Sequence, residues 1–288
     1  MPGSRPAPAP VAVVTDSSAA ATWPAGLPVV VVPLRVLAGG AVADDTAGPL
    51  PAPIAAELAR GERLSTARPA PERFAAAYAA AAAAGAPAVV SVHLSAELSG
   101  TLGSARLAAA RAPIPVHVVD SATIGAGLGL VVAAAARAAA AGQPAGQVVQ
   151  AAADRAARLG SFIALDSHHQ LRAGGRLSGG TGRGTTAAML RSRPLLTISG
   201  GRVVILERVR TLAAVHDRLV QLASVHAAGR RSELAVQHIA DPSGAEAVSR
   251  ALAAAIPAAG PITVTEAGAA ILAHTGPGLL AVVVAPED

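Results

Sequence analysis

Apolar strand segments and alanine-rich helical segments alternate along the first 160 residues, and this alternation limits the available folds more than any other feature. Strands are predicted at Val11–Thr15, Pro28–Val32, Ala88–Leu94 and Pro115–Val119. Helices are predicted at Ile54–Arg60, Pro71–Ala84, Gly100–Arg111 and Gly125–Ala141. Strands that are separated by helices are typical of a parallel sheet with helices on both faces.

The pattern changes after a further predicted helix over 146–159. Strands are then predicted at Phe162–Leu165, Pro194–Ile198, Arg202–Arg208, Glu233–His238, Ile262–Thr265 and Leu279–Val284. Ser199-Gly200-Gly201 has the composition of a hairpin turn, which makes this second sheet partly antiparallel. The predicted fold class is therefore α/β, with an N-terminal parallel-sheet domain over 11–160 and a C-terminal α+β domain with a mixed sheet over 161–288. The proline-rich residues 1–10 are predicted to form a disordered tail.

The composition excludes several classes of chemistry. The chain has no Cys, and its 23 basic residues are all Arg. It therefore has no thiol nucleophile, no Schiff-base lysine and no phosphate-binding lysine of the P-loop type. With one Trp, one Tyr and two Phe, it offers too few aromatic rings for base stacking, so no nucleic-acid partner is predicted.

The sequence shows no export signal and no membrane span. The longest apolar run, Ile124–Ala136, is too short to cross a bilayer, and the protein is predicted to be soluble and cytoplasmic. The adjacent His168-His169 would point in different directions on a helix, so neither a metal site nor a resident cofactor is predicted.

Hydroxyl side chains cluster where the strand ending at Leu94 passes into the next helix. Ser95, Ser99 and Thr101 surround Gly100 at this junction. Free backbone N–H groups and the helix dipole favour an anion there, and Gly100 allows a ligand to approach closely. Serine and threonine are also ordinary N-cap residues, so this junction alone does not establish a binding site.

Two other segments carry polar groups at comparable positions. Asp16 and Ser17 follow the first strand, where open α/β sheets place ligand-binding groups. His274, Thr275 and Gly276 belong to a segment that is rich in glycine and proline and is therefore predicted to be a non-helical turn. A histidine in a loop is a better candidate for function than one in a core.

Seven short motifs, in order, resemble those of the DegV family of bacterial fatty-acid-binding proteins, the binding subunits of fatty acid kinase. The resemblance covers roughly residues 11 to 284. The motifs are Thr15-Asp16-Ser17-Ser18, Thr66-Ala67-Arg68-Pro69, Ser99-Gly100-Thr101, Asp120-Ser121, Gly174-Gly175-Arg176-Leu177-Ser178, Val209-Arg210-Thr211 and His274-Thr275-Gly276-Pro277-Gly278. The second motif departs from the family pattern, because Ala67 and Ala70 stand where hydroxyl side chains are usual.

The resemblance implies a ligand cleft between the two domains. Its head-group site would hold the hydroxyls of Thr66 and Ser99, the Gly100 amide and the His274 imidazole. These neutral donors suit a single carboxylate better than a polyphosphate, while a buried acyl tail would supply most of the affinity. Arg176 would serve the kinase partner or the phosphoryl transfer.

The leading hypothesis is thus a non-enzymatic carrier. It would bind a long-chain fatty acid and present the carboxylate to a separate ATP-dependent kinase, which would form the acyl phosphate. Its lipid ligand also predicts transient contact with membranes. Two alternatives stay open: an acyl hydrolase that uses Ser99, His274 and Asp16 as a triad, and a sensor of another small carboxylate or a sugar phosphate.

Overall fold

The computed structural model describes residues 9–20, 23–24, 26–46, 50–166, 174–178 and 193–287. Residues 1–8 of the predicted tail and the His168-His169 pair lie outside the described residues. The predicted fold class is confirmed, because one sheet is parallel, a second is mixed, and helices pack against both.

The N-terminal half contributes seven of the described strands and five of the described helices. The strands are β1 (Ala12–Asp16), β2 (Val29–Val32), β3 (Arg35–Ala38), β4 (Ala41–Asp44), β5 (Leu64–Ala67), β6 (Val89–His93) and β7 (Val116–Asp120). The helices are α1 (Ala52–Ala59), α2 (Pro71–Ala83), α3 (Thr101–Ala109), α4 (Ala126–Ala140) and α5 (Ala145–Arg158).

Four of these strands form a parallel sheet in the order β2-β1-β6-β7. Its central strands are apolar on both faces, since Val13 packs with α4 and α5 while Val14 packs with α2 and α3. Burial on both faces explains why β1 and β6 begin with consecutive apolar residues and are buried along nearly their whole length. The carboxyl ends of β1 and β6 carry Asp16 and His93 to the same edge of the sheet.

A small antiparallel sheet in the order β4-β3-β5 was not predicted from the sequence. Its strands have four residues each, and alanine weakens their strand pattern. The available signal was Gly39-Gly40, a two-residue hairpin turn between Ala38 and Ala41. This sheet matters for the site because β5 carries Thr66.

The C-terminal half forms the mixed sheet. Its strands are β8 (Gly160–Ala164), β9 (Leu177–Ser178), β10 (Arg193–Ser199), β11 (Arg202–Val209), β12 (Ser232–His238), β13 (Thr263–Glu266) and β14 (Leu280–Pro286). They are ordered β13-β12-β14-β8-β10-β11-β9. The predicted hairpin at Gly200-Gly201 is confirmed by the pairing of Ser199 with Arg202.

Three described helices accompany this sheet: α6 (Leu212–Ala227), α7 (Pro242–Ala255) and α8 (Ala269–Thr275). α6 and α7 bury their apolar sides against β12 and β14. α8 instead reaches the small sheet of the N-terminal half, where Ala269 packs with Val36, Ala38 and Ile54. Within the described ranges, no helix combines the length and the hydropathy that a membrane crossing requires.

Candidate functional site

A narrow cavity runs between the parallel sheet and the mixed sheet. Its empty volume is about 930 Å³ when the solvent at its mouth is included. Apolar side chains from both halves of the chain line it, among them Leu34, Leu94, Ile124, Ile163, Leu196 and Leu279. The part of an apolar ligand that lies against this lining would lose its contact with water.

Thr66 and His274 meet at the wall of this cavity. The Oγ1 atom of Thr66 lies 2.8 Å from Nε2 of His274, although the two residues are 208 positions apart in the chain. Ser99 and Arg176 line the same cavity. Three of the four predicted head-group residues and the predicted partner-side arginine thus border one space.

The prediction of a non-helical turn around His274 is wrong. His274 lies in the last turn of α8. The helix ends only at Gly276, whose φ of +71° is accessible to glycine at little cost, so the glycine and proline residues terminate a helix that precedes them.

The environment of His274 keeps its imidazole neutral. Burial, and to a smaller extent the nearby Arg176 guanidinium, lowers the pKa of His274 from 6.5 to about 4. A neutral ring has one N–H and one bare nitrogen. When Nε2 carries the hydrogen, it donates to Thr66, and the Thr66 hydroxyl hydrogen is then available to a ligand.

Ser99 is held by the first turn of α3. Its Oγ accepts a hydrogen bond from the backbone N–H of Thr101 at 3.2 Å and lies 2.9 Å from the Thr101 hydroxyl. Because its oxygen is already an acceptor, the Ser99 hydroxyl can offer its hydrogen to an anion. Gly100 is the N-cap of α3 and packs against Arg68, but it does not itself line the cavity.

Asp16 does not reach the cavity as a triad member. Its Oδ2 accepts hydrogen bonds from Nδ1 of His93 at 2.9 Å and from the Leu94 backbone at 3.2 Å. Nε2 of His93 lies 2.7 Å from the Ser91 hydroxyl, which lies 2.9 Å from the hydroxyl of Tyr78. These side chains are fully buried, so the network holds the end of β1 rather than acting on a substrate.

The other Asp16 oxygen positions a residue of the cavity wall. Oδ1 accepts from the backbone N–H of Ser18 at 3.1 Å and from its hydroxyl at 2.5 Å. Ser18 lines the cavity. Asp16 therefore acts through Ser18, and the hydrolase triad of Ser99, His274 and Asp16 is not assembled in the described part of the chain.

Ser17 connects the first motif to α8. Its hydroxyl donates to Oδ2 of Asp45 at 2.8 Å, and Oδ1 of Asp45 accepts from the Ala270 backbone at 3.2 Å. Burial raises the pKa of the Asp45 carboxyl above its usual range, although these hydrogen bonds act in the opposite direction. Asp45, which the sequence reasoning missed, thus fixes the start of the helix that carries His274.

Ser95 and Thr275 also make structural contacts. The Ser95 hydroxyl donates to the Gly201 carbonyl at 2.8 Å, which joins the two halves of the chain, and Glu97 and Arg202 form an ion pair beside this contact. Thr275 lines the cavity, but its hydroxyl donates to the Ile271 carbonyl at 3.0 Å. Neither hydroxyl is therefore free for a ligand in this arrangement.

A second, open groove lies outside the mouth of the cavity. It is bordered by Ser65, Glu266 and Gly276, and it shares His274 and Arg176 with the cavity. A guanidinium nitrogen of Arg176 donates to the Gly174 carbonyl at 2.9 Å, within the turn made by Gly175 at a φ of +69°. His274 and Arg176 therefore border both the apolar cavity and the more open groove. In the described ranges, no cluster of three or more His, Asp or Glu side chains could hold a metal ion.

Known proteins resemble this chain over nearly its whole length. A family model described as uncharacterised proteins of the DegV family matches residues 10–287. A DegV domain-containing protein of Streptomyces coelicolor is 40% identical over 278 residues, which cover 95% of this chain and 98% of that protein.

Solved structures show the same fold. A fatty-acid-binding DegV family protein from Thermus thermophilus superposes with a TM-score of 0.86 at 30% identity, over 96% of this chain and 100% of that one. A DegV family protein from Corynebacterium glutamicum superposes with a TM-score of 0.81 at 27% identity, over 97% and 99% of the two chains. The chain belongs to the DegV family.

Proposed function

We propose that this protein binds a long-chain fatty acid in the cavity, with the carboxylate at the mouth. The observation that carries the proposal is an apolar cavity whose wall also holds Thr66, Ser99 and His274, with Thr66 and His274 in direct contact. The fatty-acid binding of the similar Thermus thermophilus protein supports it.

The polar cluster suits one carboxylate. Thr66 and Ser99 can each donate an O–H hydrogen, because each oxygen can accept a hydrogen bond from a neighbouring group. The Arg176 guanidinium lies close enough to influence His274, so it also favours a negative charge at the mouth. A hydrogen bond to a charged group contributes about 1.5–3 kcal/mol, which is sufficient to orient a ligand.

The tail supplies the larger part of the affinity. Burial of a methylene group contributes about 0.8 kcal/mol, so about ten buried methylenes exceed the contribution of the head group. The acyl chain therefore determines the affinity, and the hydroxyl groups of Thr66 and Ser99 determine where the carboxylate lies.

We further propose that the carboxylate is presented to a separate, cytoplasmic, ATP-dependent kinase that forms the acyl phosphate. The open groove outside the mouth supports this role, because it gives a partner access to His274 and Arg176. The chain itself has no lysine to hold a nucleotide phosphate in a P-loop. The protein would then be a carrier and not an enzyme.

Native mass spectrometry of the purified protein tests the first proposal. We expect a co-purified mass that corresponds to a fatty acid, and we expect the delipidated protein to take up palmitic or oleic acid again. Absence of uptake by protein that remains folded would refute fatty-acid binding. A chromogenic ester assay on the same sample would detect hydrolase activity, which we do not expect.

The Arg176→Ala variant tests the second proposal. Removal of the guanidinium should leave fatty-acid affinity within about threefold, because the tail contacts and the hydroxyl cluster remain. Acyl-phosphate formation with the fatty acid kinase from the same organism should fall at least tenfold, because a charge-assisted contact to phosphate is lost. The exposed Arg111→Ala variant is the matched control, and equal phosphorylation by both variants would contradict the role of Arg176.

A further inference from the structure

Two polar side chains lie on the cavity wall apart from the head-group cluster. Gln237 on β12 is 4% exposed, and Ser161 on β8 is 5% exposed. Both line the cavity. Neither belongs to the seven motifs, and an ordinary fatty acid offers no partner for either of them.

Strand β14 relates the two positions to the head group. It lies between β12 and β8, and it begins shortly after the turn that follows His274. Gln237 pairs with Ala281, and Ser161 pairs with Val283. Since an antiparallel strand rises about 3.4 Å per residue, Gln237 lies about 7 Å and Ser161 about 14 Å beyond the level of Leu279. Both therefore face the middle or deeper part of the ligand.

The orientation of the Gln237 amide is fixed. Its Oε1 accepts a hydrogen bond from the backbone N–H of Ala126 at 3.1 Å, and a backbone N–H can only donate. The Nε2 atom must then be on the other side of the amide. It makes no hydrogen bond within the described ranges, so Gln237 presents N–H donors that lack an acceptor.

The Ser161 hydroxyl is likewise without a hydrogen-bond partner among the residues that the structure describes. Neither this hydroxyl nor Nε2 of Gln237 belongs to the fully enclosed side-chain atoms that lack a partner, so water in the cavity can reach both of them. A saturated chain that displaced this water would leave both groups unpaired, which costs free energy. A cavity built only for a saturated hydrocarbon chain would be expected to have apolar residues at both positions. Two nearly fully buried polar groups on its wall indicate a ligand that has a matching polar atom.

We infer that the acyl chain carries an oxygen function part-way along its length, as in a hydroxy or oxo fatty acid. Its oxygen accepts from Nε2 of Gln237, and a hydroxyl placed deeper pairs with Ser161. This inference rests on the proposed fatty-acid binding and specifies the class of fatty acid.

Calorimetric titration of the delipidated protein tests it. The probes are stearic acid and octadecanoic acids that carry a hydroxyl or a keto group at successive mid-chain positions. We expect at least one positional isomer to bind about tenfold more tightly than stearic acid, because a site that hydrogen-bonds a substrate group discriminates against the analogue without it.

Two variants connect the preference to these residues. Gln237→Met should abolish the preference at the position nearer the carboxylate, and Ser161→Ala should reduce it at the deeper position. Because Gln237→Met also removes the hydrogen bond from the Ala126 N–H, the preference is measured in each variant as the ratio of its affinities for the oxygenated acid and for stearic acid. Ser104→Ala replaces an equally buried serine, 3% exposed, that does not line the cavity, and it should retain the preference. Melting curves would confirm that each variant is folded.

The outcomes separate the two proposals. If stearic acid binds as tightly as every oxygenated acid, or if the preference survives in both variants, the inference about the acyl chain is wrong while fatty-acid binding stands. If none of the acids binds to the folded protein, the proposed function fails as well.

Discussion

At the scale of single residues, His274 lies on the cavity wall in an environment that is unfavourable for a charged imidazole. Burial is the main cause of its low pKa of about 4, and Arg176 adds to it. The unfolded chain therefore binds a proton to this histidine between pH 6.5 and 4, whereas the folded protein does not. The unfolding free energy is therefore unaffected by this histidine above pH 6.5, and it decreases as the pH falls from 6.5 to 4.

The His274→Gln variant should show the size of this effect. We expect the ligand-free parent to lose up to about 3 kcal/mol of unfolding free energy, relative to the variant, between pH 7 and pH 4. Urea unfolding at several pH values measures the difference. His117→Gln, which replaces an exposed histidine of β7, is the control, and a pH dependence that His274→Gln shares with the parent would contradict the assignment.

At the scale of elements, the cavity wall depends on α6. Four residues of this helix, Val215, Leu219, Ala223 and Ala227, pack against the core that contains Val282 and Val284 of β14. The helix ends at Ala228, which has a left-handed conformation with a φ of 50°. A side chain with a Cβ atom is strained in this region, whereas glycine is not.

Ala228→Gly should therefore stabilise the protein, by about 0.5–1 kcal/mol. The neighbouring Ala227→Gly is a sharp control, because Ala227 is helical and fully buried and its replacement should destabilise by at least about 1 kcal/mol. Thermal melts of the two variants should shift in opposite directions. A lower melting temperature for Ala228→Gly would show that the strain is relieved elsewhere in the loop.

Some of the strands could be predicted from sequence patterns and others could not. A strand with a long apolar run, such as β14, was predicted because burial on both faces leaves a clear signal. The short strand that carries Thr66 was missed, because four alternating residues resemble a loop. Gln237 was missed for another reason: a polar residue in a strand normally faces solvent, and only the packing of two sheets makes it face a cavity.

At the scale of the whole molecule, the cavity exists because the two halves of the chain are held together. Gln237 bonds to Ala126, Ser95 bonds to Gly201, and Arg137 pairs with Glu233 through two hydrogen bonds of 2.6 and 3.2 Å. Contacts this far apart in sequence could not be predicted from local patterns. The motifs predicted a set of polar site residues, of which Thr66, Ser99 and His274 border the cavity, but only the assembled fold shows that Asp16 supports Ser18 and does not contact His274.

The proposal that the acyl tail supplies most of the affinity leads to a prediction about the length of the fatty acid. If the acyl chain supplies affinity through burial, each added methylene should lower the dissociation constant by about fourfold, which corresponds to about 0.8 kcal/mol. The gain should stop once the chain fills the cavity. Competition binding with saturated acids of increasing length measures both the slope and the length at which it ends.

Two variants should change this series in different ways. Ser99→Ala removes a donor at the mouth, so every acid should bind about tenfold more weakly with the slope unchanged. Ala281→Leu adds bulk to a wall residue between Leu279 and Val283, so the slope should be retained for short acids and should end at a shorter length. A change of slope in Ser99→Ala, or a uniform weakening in Ala281→Leu, would mean that the carboxylate and the tail do not occupy the ends of the cavity proposed for them.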